Sequence, residues 1–346
     1  MADLPPPSRL LADHTTFRIG GPADNLVVAR TERELVTTVR RADADSTPVL
    51  IISGGSNMLI ADEGFRGTAV VVATEGIEAS PSHQGVRLKV AAGESWDCLV
   101  EHTVDQGWSG LEMLSGIPGL VGAAPVQNIG AYGAEVASVI TTIRAFDRQT
   151  STIVYFTPDD CHFGYRTSVF KQVHDRYVVL TVELHLSFDP TSTPIAYAEL
   201  ARHLGVETGT RVPLADARRA VLELRRGKGM VLDPSDHDTW SAGSFFTNPI
   251  ISPEMAASLP PEAPRFPQPD GSVKTSAAWL IDHAGFHKGY GTSHATLSTK
   301  HVLALTNRGD ATAEDILWLA RTIRDGVHTQ YGITLEPEPI LVGLWL

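Results

Sequence analysis

Cysteine is nearly absent: Cys98 and Cys161 are the only two among 346 residues. Two are too few for a disulfide framework or a zinc knuckle, so both read as small buried hydrophobes and no metal site is expected. Excess positive charge is absent as well. Forty Asp and Glu against 28 Lys and Arg leave −12 with His neutral. That argues against an obligate nucleic-acid or anionic-membrane partner, because both favour a basic surface. It says nothing against small anionic ligands, which respond to a local patch. The uncharged stretch from Met113 to Ala134 holds five glycines and two prolines, so it reads as a tightly folded loop region and not as a membrane span. Met1 to Leu11 has three prolines and an acidic residue, where a signal peptide needs a basic start and an apolar middle. The expected compartment is the cytoplasm. Repeats and low-complexity tracts are also lacking.

What is present suffices for a core: 42% of residues are hydrophobic and 20% charged. The length exceeds the roughly 100–200 residues of one domain, so two or three are expected. Asn25 to Ala29 is a short apolar run, and Thr31 with Glu34 matches a capping box ahead of Leu35, Val36, Val39 and Ala42 at helical spacing. Val49 to Ile52 and Ala69 to Ala73 read as strands. Past Thr74 the texture turns to strands (139–146, 152–156, 177–186) around one helix from Ser95 to Gln106, with Ser95 as its cap. A basic helix is predicted from Leu214 to Arg226, an amphipathic one from Thr312 to Gln330, and a buried strand from Ile340 to Leu346.

Ser53-Gly54-Gly55-Ser56-Asn57 follows the strand at 49–52 directly. Its glycines let backbone N–H groups converge on an anion such as a pyrophosphate; the ordinary alternative is a plain tight turn. It is neither a G-x-G-x-x-G fingerprint nor a P-loop. The run from Ser115 to Gly133 is more specific. Small residues at such density let a backbone lie flat on a large planar ligand, with Ser115, Gln127 and Asn128 to fix its edges.

With these motifs, the chain resembles the UDP-N-acetylenolpyruvoylglucosamine reductase family, in the branch that keeps a substrate-covering tyrosine loop. The resemblance runs from His14-Thr15-Thr16-Phe17-Arg18-Ile19-Gly20-Gly21 to Leu335-Glu336-Pro337-Glu338. It takes in the segments 163–171, 241–249, 269–274 and 279–282. It implies an α+β fold: a p-cresol-methylhydroxylase-type FAD-binding pair of subdomains (1–73 with 333–346, and 74–228) plus a third α/β substrate-binding domain (229–332). It further implies non-covalent FAD, NADPH as reductant, and conversion of the enolpyruvyl ether of UDP-N-acetylglucosamine to UDP-N-acetylmuramate in peptidoglycan precursor synthesis. A monomer without a membrane anchor is expected.

The resemblance also implies roles. Ser244 matches the serine that protonates the substrate carbon, Arg166 the arginine that meets the substrate carboxylate, and Glu338 the glutamate acting at that same end. Glu336 competes with Glu338 on alternation alone; the motif match favours Glu338. Nearness of two carboxylates would raise a pKa, so Glu338 is expected to work protonated. Cofactor contacts are expected from Ser53, Gly54, Gly55, Ser56, Asn57, Ser115, Gly116, Ile117, Pro118, Gly122, Ala123, Gln127, Asn128, Gly130, Ala131 and Tyr132. Substrate contacts are expected from Tyr197 over the diphosphate, Lys228 at it, Asn248 and Lys274. At least three of Arg218, Arg219, Arg225, Arg226 and Lys228 are expected to be a solvated helix face. The chain reads Ser53 where many relatives have glycine. Two other readings compete: an oxidase on the same flavin fold, and a silent nucleotide-sugar sensor. The first lacks a motif around either cysteine for a covalent anchor; the second should lack Ser244, Arg166 or Glu338.

Overall fold

The computed structural model describes residues 9–346. They form two compact units, each drawn from separated stretches of chain. The first comprises Arg9, Ala23–Gly55 and Arg66–Val231; the second comprises Leu10–Pro22, Ser56–Phe65 and Leu232–Leu346. Residues 333–346 therefore fall with 232–332 in the second unit.

In the first unit, the helix Glu32–Ala44 buries Leu35, Val36, Val39 and Ala42, the stripe predicted from spacing. Thr31 accepts the Glu34 N–H at 3.2 Å, but the Glu34 carboxylate reaches past it to the Arg30 N–H at 2.9 Å. The strand Val49–Ile52 runs parallel to Phe65–Val72. A larger antiparallel sheet follows in the order Thr152–Phe156, Ile140–Asp147, Tyr177–Phe188, Gly85–Ala91, Ile77–Ser82. Val86, Leu88, Val90, Ile143, Ala145, Val182 and Leu184 are fully buried in its core, and alternation along these strands delivers that face.

The helix Trp96–Asp105 starts at Ser95, whose hydroxyl makes no capping bond. What anchors this end is the glycine-rich run. The Trp96 N–H donates to the Gly119 carbonyl at 3.1 Å and its indole Nε1 donates to the Leu114 carbonyl at 3.0 Å. Asp97, in the first turn, accepts from the Gly116 N–H at 2.5 Å and from both Arg218 Nη atoms at 2.7 and 3.0 Å.

In the second unit, the helix Ala313–Tyr331 is held at its start by a full Thr312/Asp315 capping box and by the Asp62 carboxylate on the Ala313 N–H. Its face of Ile316, Leu319, Ala320, Ile323 and Val327 packs on a core with Phe17, Phe245 and Phe246. The closing strand is shorter and less buried than alternation suggests. It spans Ile340–Val342 with only Val342 buried, and it runs parallel to Met58–Ile60. A parallel strand with one neighbour cannot cover both faces, so the remaining residues stay half in solvent.

Burial pushes the Asp97 pKa up, but the bonds from Arg218 and Gly116 and the Arg218 and Arg225 charges outweigh it and hold the carboxyl below the usual carboxylate range. A depressed folded-state pKa stabilises above the unfolded value of about 3.9 and loses that contribution as pH falls through the folded one. Asp97→Asn is expected to destabilise by about 1–3 kcal/mol at neutral pH, less than a fully buried pair because the Asp97 side chain is 35% exposed. Urea melts should show the gap to the parent closing below about pH 4; a gap independent of pH would contradict this role.

Candidate active site

The strand Val49–Ile52 ends at Ser53, and the next two residues are left-handed, with φ +77° at Gly54 and +55° at Gly55. A Cβ on Gly54 would stand 2.8 Å from the Gly119 Cα. The two glycine-rich segments picked out from sequence therefore touch, backbone to backbone, and only glycine allows it. Beside them Ser53 Oγ is buried with no hydrogen-bond partner among the described residues. Such an atom is expensive to leave unmade.

The longer run is fastened at many points. The Gly122 N–H donates to the Ala92 carbonyl at 2.8 Å and the Val121 N–H to the Glu94 carbonyl at 2.9 Å. Ser115 Oγ donates to the Glu112 carbonyl at 2.6 Å. Asn128 is fully engaged by the protein. Its Nδ2 donates to Glu135 and to the Gly164 carbonyl, and its Oδ1 accepts the Ala137 N–H at 3.1 Å. The side chain expected to fix a ligand edge instead ties this loop to its neighbours. Ile117, Pro118, Ala123, Gln127, Gly130, Ala131 and Tyr132 are half-buried along the same run, and Gly116 is buried.

Arg166 sits in a tight turn closed by mutual Gly164 and Thr167 backbone bonds of 3.1 and 3.3 Å. Its φ is +54°, a strained conformation for a side-chain-bearing residue. Nη2 donates to the Gly130 carbonyl at 2.8 Å, and a Cβ on Gly130 would lie 3.1 Å from Nη1. The arginine fork is thus seated on the glycine-rich run itself.

The tyrosine segment reaches the same place. The Tyr132 and Tyr197 rings meet edge to face at 5.7 Å, and Lys228 Nζ lies 6.0 Å from the Tyr132 ring centroid. Lys228 donates to Glu199 Oε2 at 2.6 Å. Tyr132 has its pKa pushed up to about 12, by burial first and then by the Glu199 and Tyr197 charges against the opposing pull of Arg225.

The basic helix spans Leu214–Gly227 and departs from the expected solvated face. Arg218 and Arg225 are buried, Lys228 is half-buried, and only Arg219 and Arg226 are exposed. Helix arithmetic carried the signal: Leu214, Arg218, Val221 and Arg225 recur at four, three and four residues, on one stripe. Arg225 Nη2 donates to the Gly116 carbonyl at 3.3 Å and the Met230 carbonyl at 2.9 Å, and burial lowers its pKa to about 10. Sequence reasoning missed both Arg225 and Glu199.

In the second unit, Ser244 precedes the buried pair Phe245 and Phe246. Phe246 bridges antiparallel to Pro337, and the Glu338 N–H donates to the Phe245 carbonyl at 2.8 Å. Ser244 and Glu338 therefore lie on adjoining segments, although 94 positions separate them in sequence. Glu336 is exposed while Glu338 is half-buried. Asn57 Nδ2 donates to the Glu338 carbonyl at 3.3 Å, and the Ile340 N–H donates back to the Asn57 carbonyl at 3.0 Å. Ser56, beside it, is half-buried. Asn248 Oδ1 accepts the Ala277 N–H at 2.9 Å, at the start of the helix Ala277–His283. Lys274 lies on the central strand of a small sheet, opposite Ile250 and Phe266.

Comparison with known proteins bears on both units. Residues 23–156 match the FAD binding domain family. The chain fits that group: Gly54 and Gly55 form a left-handed turn of the kind that makes anion-binding nests, and the buried Ser53 hydroxyl has no hydrogen-bond partner among the described residues. FAD phosphates are hydrogen-bond acceptors. Ser53→Ala is expected to raise the melting temperature of the flavin-free protein while weakening FAD binding about tenfold, one hydrogen bond's worth. Differential scanning fluorimetry and FAD titration check the two signs; a fall in both would mean that Ser53 serves the fold alone.

Residues 233–342 match the C-terminal domain of UDP-N-acetylenolpyruvoylglucosamine reductase. The chain is 56% identical to the UDP-N-acetylenolpyruvoylglucosamine reductase of Cutibacterium acnes, over 96% of this chain and 89% of that one. It is 54% identical to the one from Streptomyces coelicolor, over 97% and 90%. The crystal structure of the Thermus caldophilus reductase superposes with a TM-score of 0.66 at 27% identity, covering 96% of this chain and 97% of that one. With relatives this similar along nearly its whole length, the chain belongs to the UDP-N-acetylenolpyruvoylglucosamine reductase family.

Proposed function

We propose that this protein uses NADPH to reduce the enolpyruvyl ether of UDP-N-acetylglucosamine to UDP-N-acetylmuramate, a step in peptidoglycan precursor synthesis. The observation that carries this reading is over 50% identity to reductases of that name across more than nine-tenths of the chain. When bound, FAD would supply the redox chemistry between NADPH and the substrate double bond. Ser53, Gly54, Gly55 and the run from Ser115 to Tyr132 would hold it, Asn128 through its backbone because its side chain is engaged by the protein.

Ser244 Oγ gives the proton that completes reduction at the ether-bearing carbon. Its hydroxyl is half-buried and bonds to no described residue, so it is available for that transfer. Arg166 pairs with the substrate carboxylate as charge shifts onto it, and its strained seat fixes the fork before substrate arrives. Glu338 acts at the same carboxyl end; its half-burial against the exposure of Glu336 supports choosing it of the two. Lys228 and Tyr197 contact the diphosphate, and Asn248 and Lys274 are further substrate contacts. We assign the flavin-holding parts to 1–73 with 333–346 and to 74–228, and the substrate-binding part to 229–332. No helix among the described residues is long and apolar enough to cross a membrane. A cytoplasmic monomer is the setting we propose.

Ser244→Ala is expected to slow reoxidation by the enolpyruvyl sugar by about 10²–10⁴-fold and to leave reduction by NADPH within about twofold. Anaerobic stopped-flow absorbance separates the two half-reactions. Equal damage to both would contradict the proton-donor role.

A further inference from the structure

Lys228 and Glu199 form an ion pair of 2.6 Å, each side chain about one-third exposed (31% and 35%). This pair lies inside the cluster that the tyrosine segment makes with the glycine-rich run. Glu199 is in the first turn of the helix Ala198–Leu204 and follows Tyr197 by two residues. Tyr197 is 49% exposed and leans edge-on against Tyr132, while Ala196 reaches Gly133 so closely that a Cβ there would lie 3.0 Å away. The carboxylate, the tyrosine and the Ala196 methyl facing Gly133 therefore belong to one short stretch of chain, and Lys228 is its electrostatic tether.

From this geometry we propose that Glu199 is an internal anion occupying the diphosphate position at Lys228, and that the substrate displaces it on binding. The proposal rests on the reading of Lys228 as a diphosphate contact and deepens it. An ammonium has three donors, but a carboxylate at 2.6 Å takes one of them and offsets the charge. A diphosphate approaching Lys228 meets a fixed negative group beside its target. It either shares the lysine with a like charge or expels the carboxylate. Expulsion removes the tether of Tyr197 and frees that ring to move when the diphosphate arrives. In the absence of substrate, the same pair keeps the lysine compensated and the segment closed on the glycine-rich run. Binding thus exchanges one anion for another, and only ligands with a phosphate can drive the exchange.

The test is calorimetric titration of FAD-loaded full-length protein with UDP and with uridine. Glu199→Gln should bind UDP roughly two- to fivefold tighter, the range set by a partly exposed ion pair, with uridine binding unchanged. The gain should vanish when Glu199→Gln is combined with Lys228→Met, and it should not appear in Glu207→Gln, where an exposed carboxylate on the same unit is neutralised. Unchanged or weaker UDP binding by Glu199→Gln would overturn the proposal, as would an equal gain in Glu207→Gln. Lys228→Met alone leaving UDP affinity intact would instead overturn the diphosphate reading beneath it.

Discussion

The contact on which the larger unit depends is between two backbones. Gly54 approaches Gly119 within the space of a single methyl group, and each neighbouring feature follows from that approach. Gly119 gives its carbonyl to Trp96, which starts the helix carrying Asp97. Asp97 in turn holds Gly116 and Arg218, so the basic helix is drawn in with its arginines on the buried stripe. The glycine-rich surface is thus built from main chain and braced by charge behind it. Backbone amides suit phosphates and need no net positive charge, which is how a chain of −12 can serve anionic ligands.

A second constraint is conformational. Asn128, Tyr132 and Arg166 all adopt positive φ without being glycine, at +47°, +49° and +54°. Such residues persist only where surroundings over-determine them. Here those surroundings can be named. The Asn128 amide is bonded on both sides, Tyr132 is wedged against Tyr197, and the Arg166 fork is seated on the Gly130 carbonyl. The second unit is built differently. Its Ser244 and Glu338 are set by two buried phenylalanines and a short antiparallel pairing with 336–338, so packing and not strain positions them.

Much of this was legible in sequence, for physical reasons that differ by element. Helices with a cap and an apolar stripe are legible because periodicity encodes them: the stripe Leu35, Val36, Val39 and Ala42 is buried on Glu32–Ala44, and Ala313–Tyr331 lies within a residue of the expected 312–330. The glycine runs were readable because few other demands require such density. Ser95 read as a cap by type, yet its hydroxyl makes no capping bond, since the glycine-rich run already supplies partners to that helix start. Arg218 and Arg225 differ from the expected solvated face because their charge points to solvent while their place on the stripe points inward; burial is sustained by Asp97 and two carbonyls. Glu199 carried no signal at all, since its meaning comes from a lysine 29 positions away.

The claim that the cofactor cradle is main chain, closed by the Gly54–Gly119 contact, is tested most directly by FAD titration of Gly54→Ala. A methyl there meets Gly119 and must adopt φ +77°. FAD affinity should fall by about tenfold or more while far-UV circular dichroism stays that of the parent. Binding of FAD to Gly54→Ala with the parent's affinity would contradict the account.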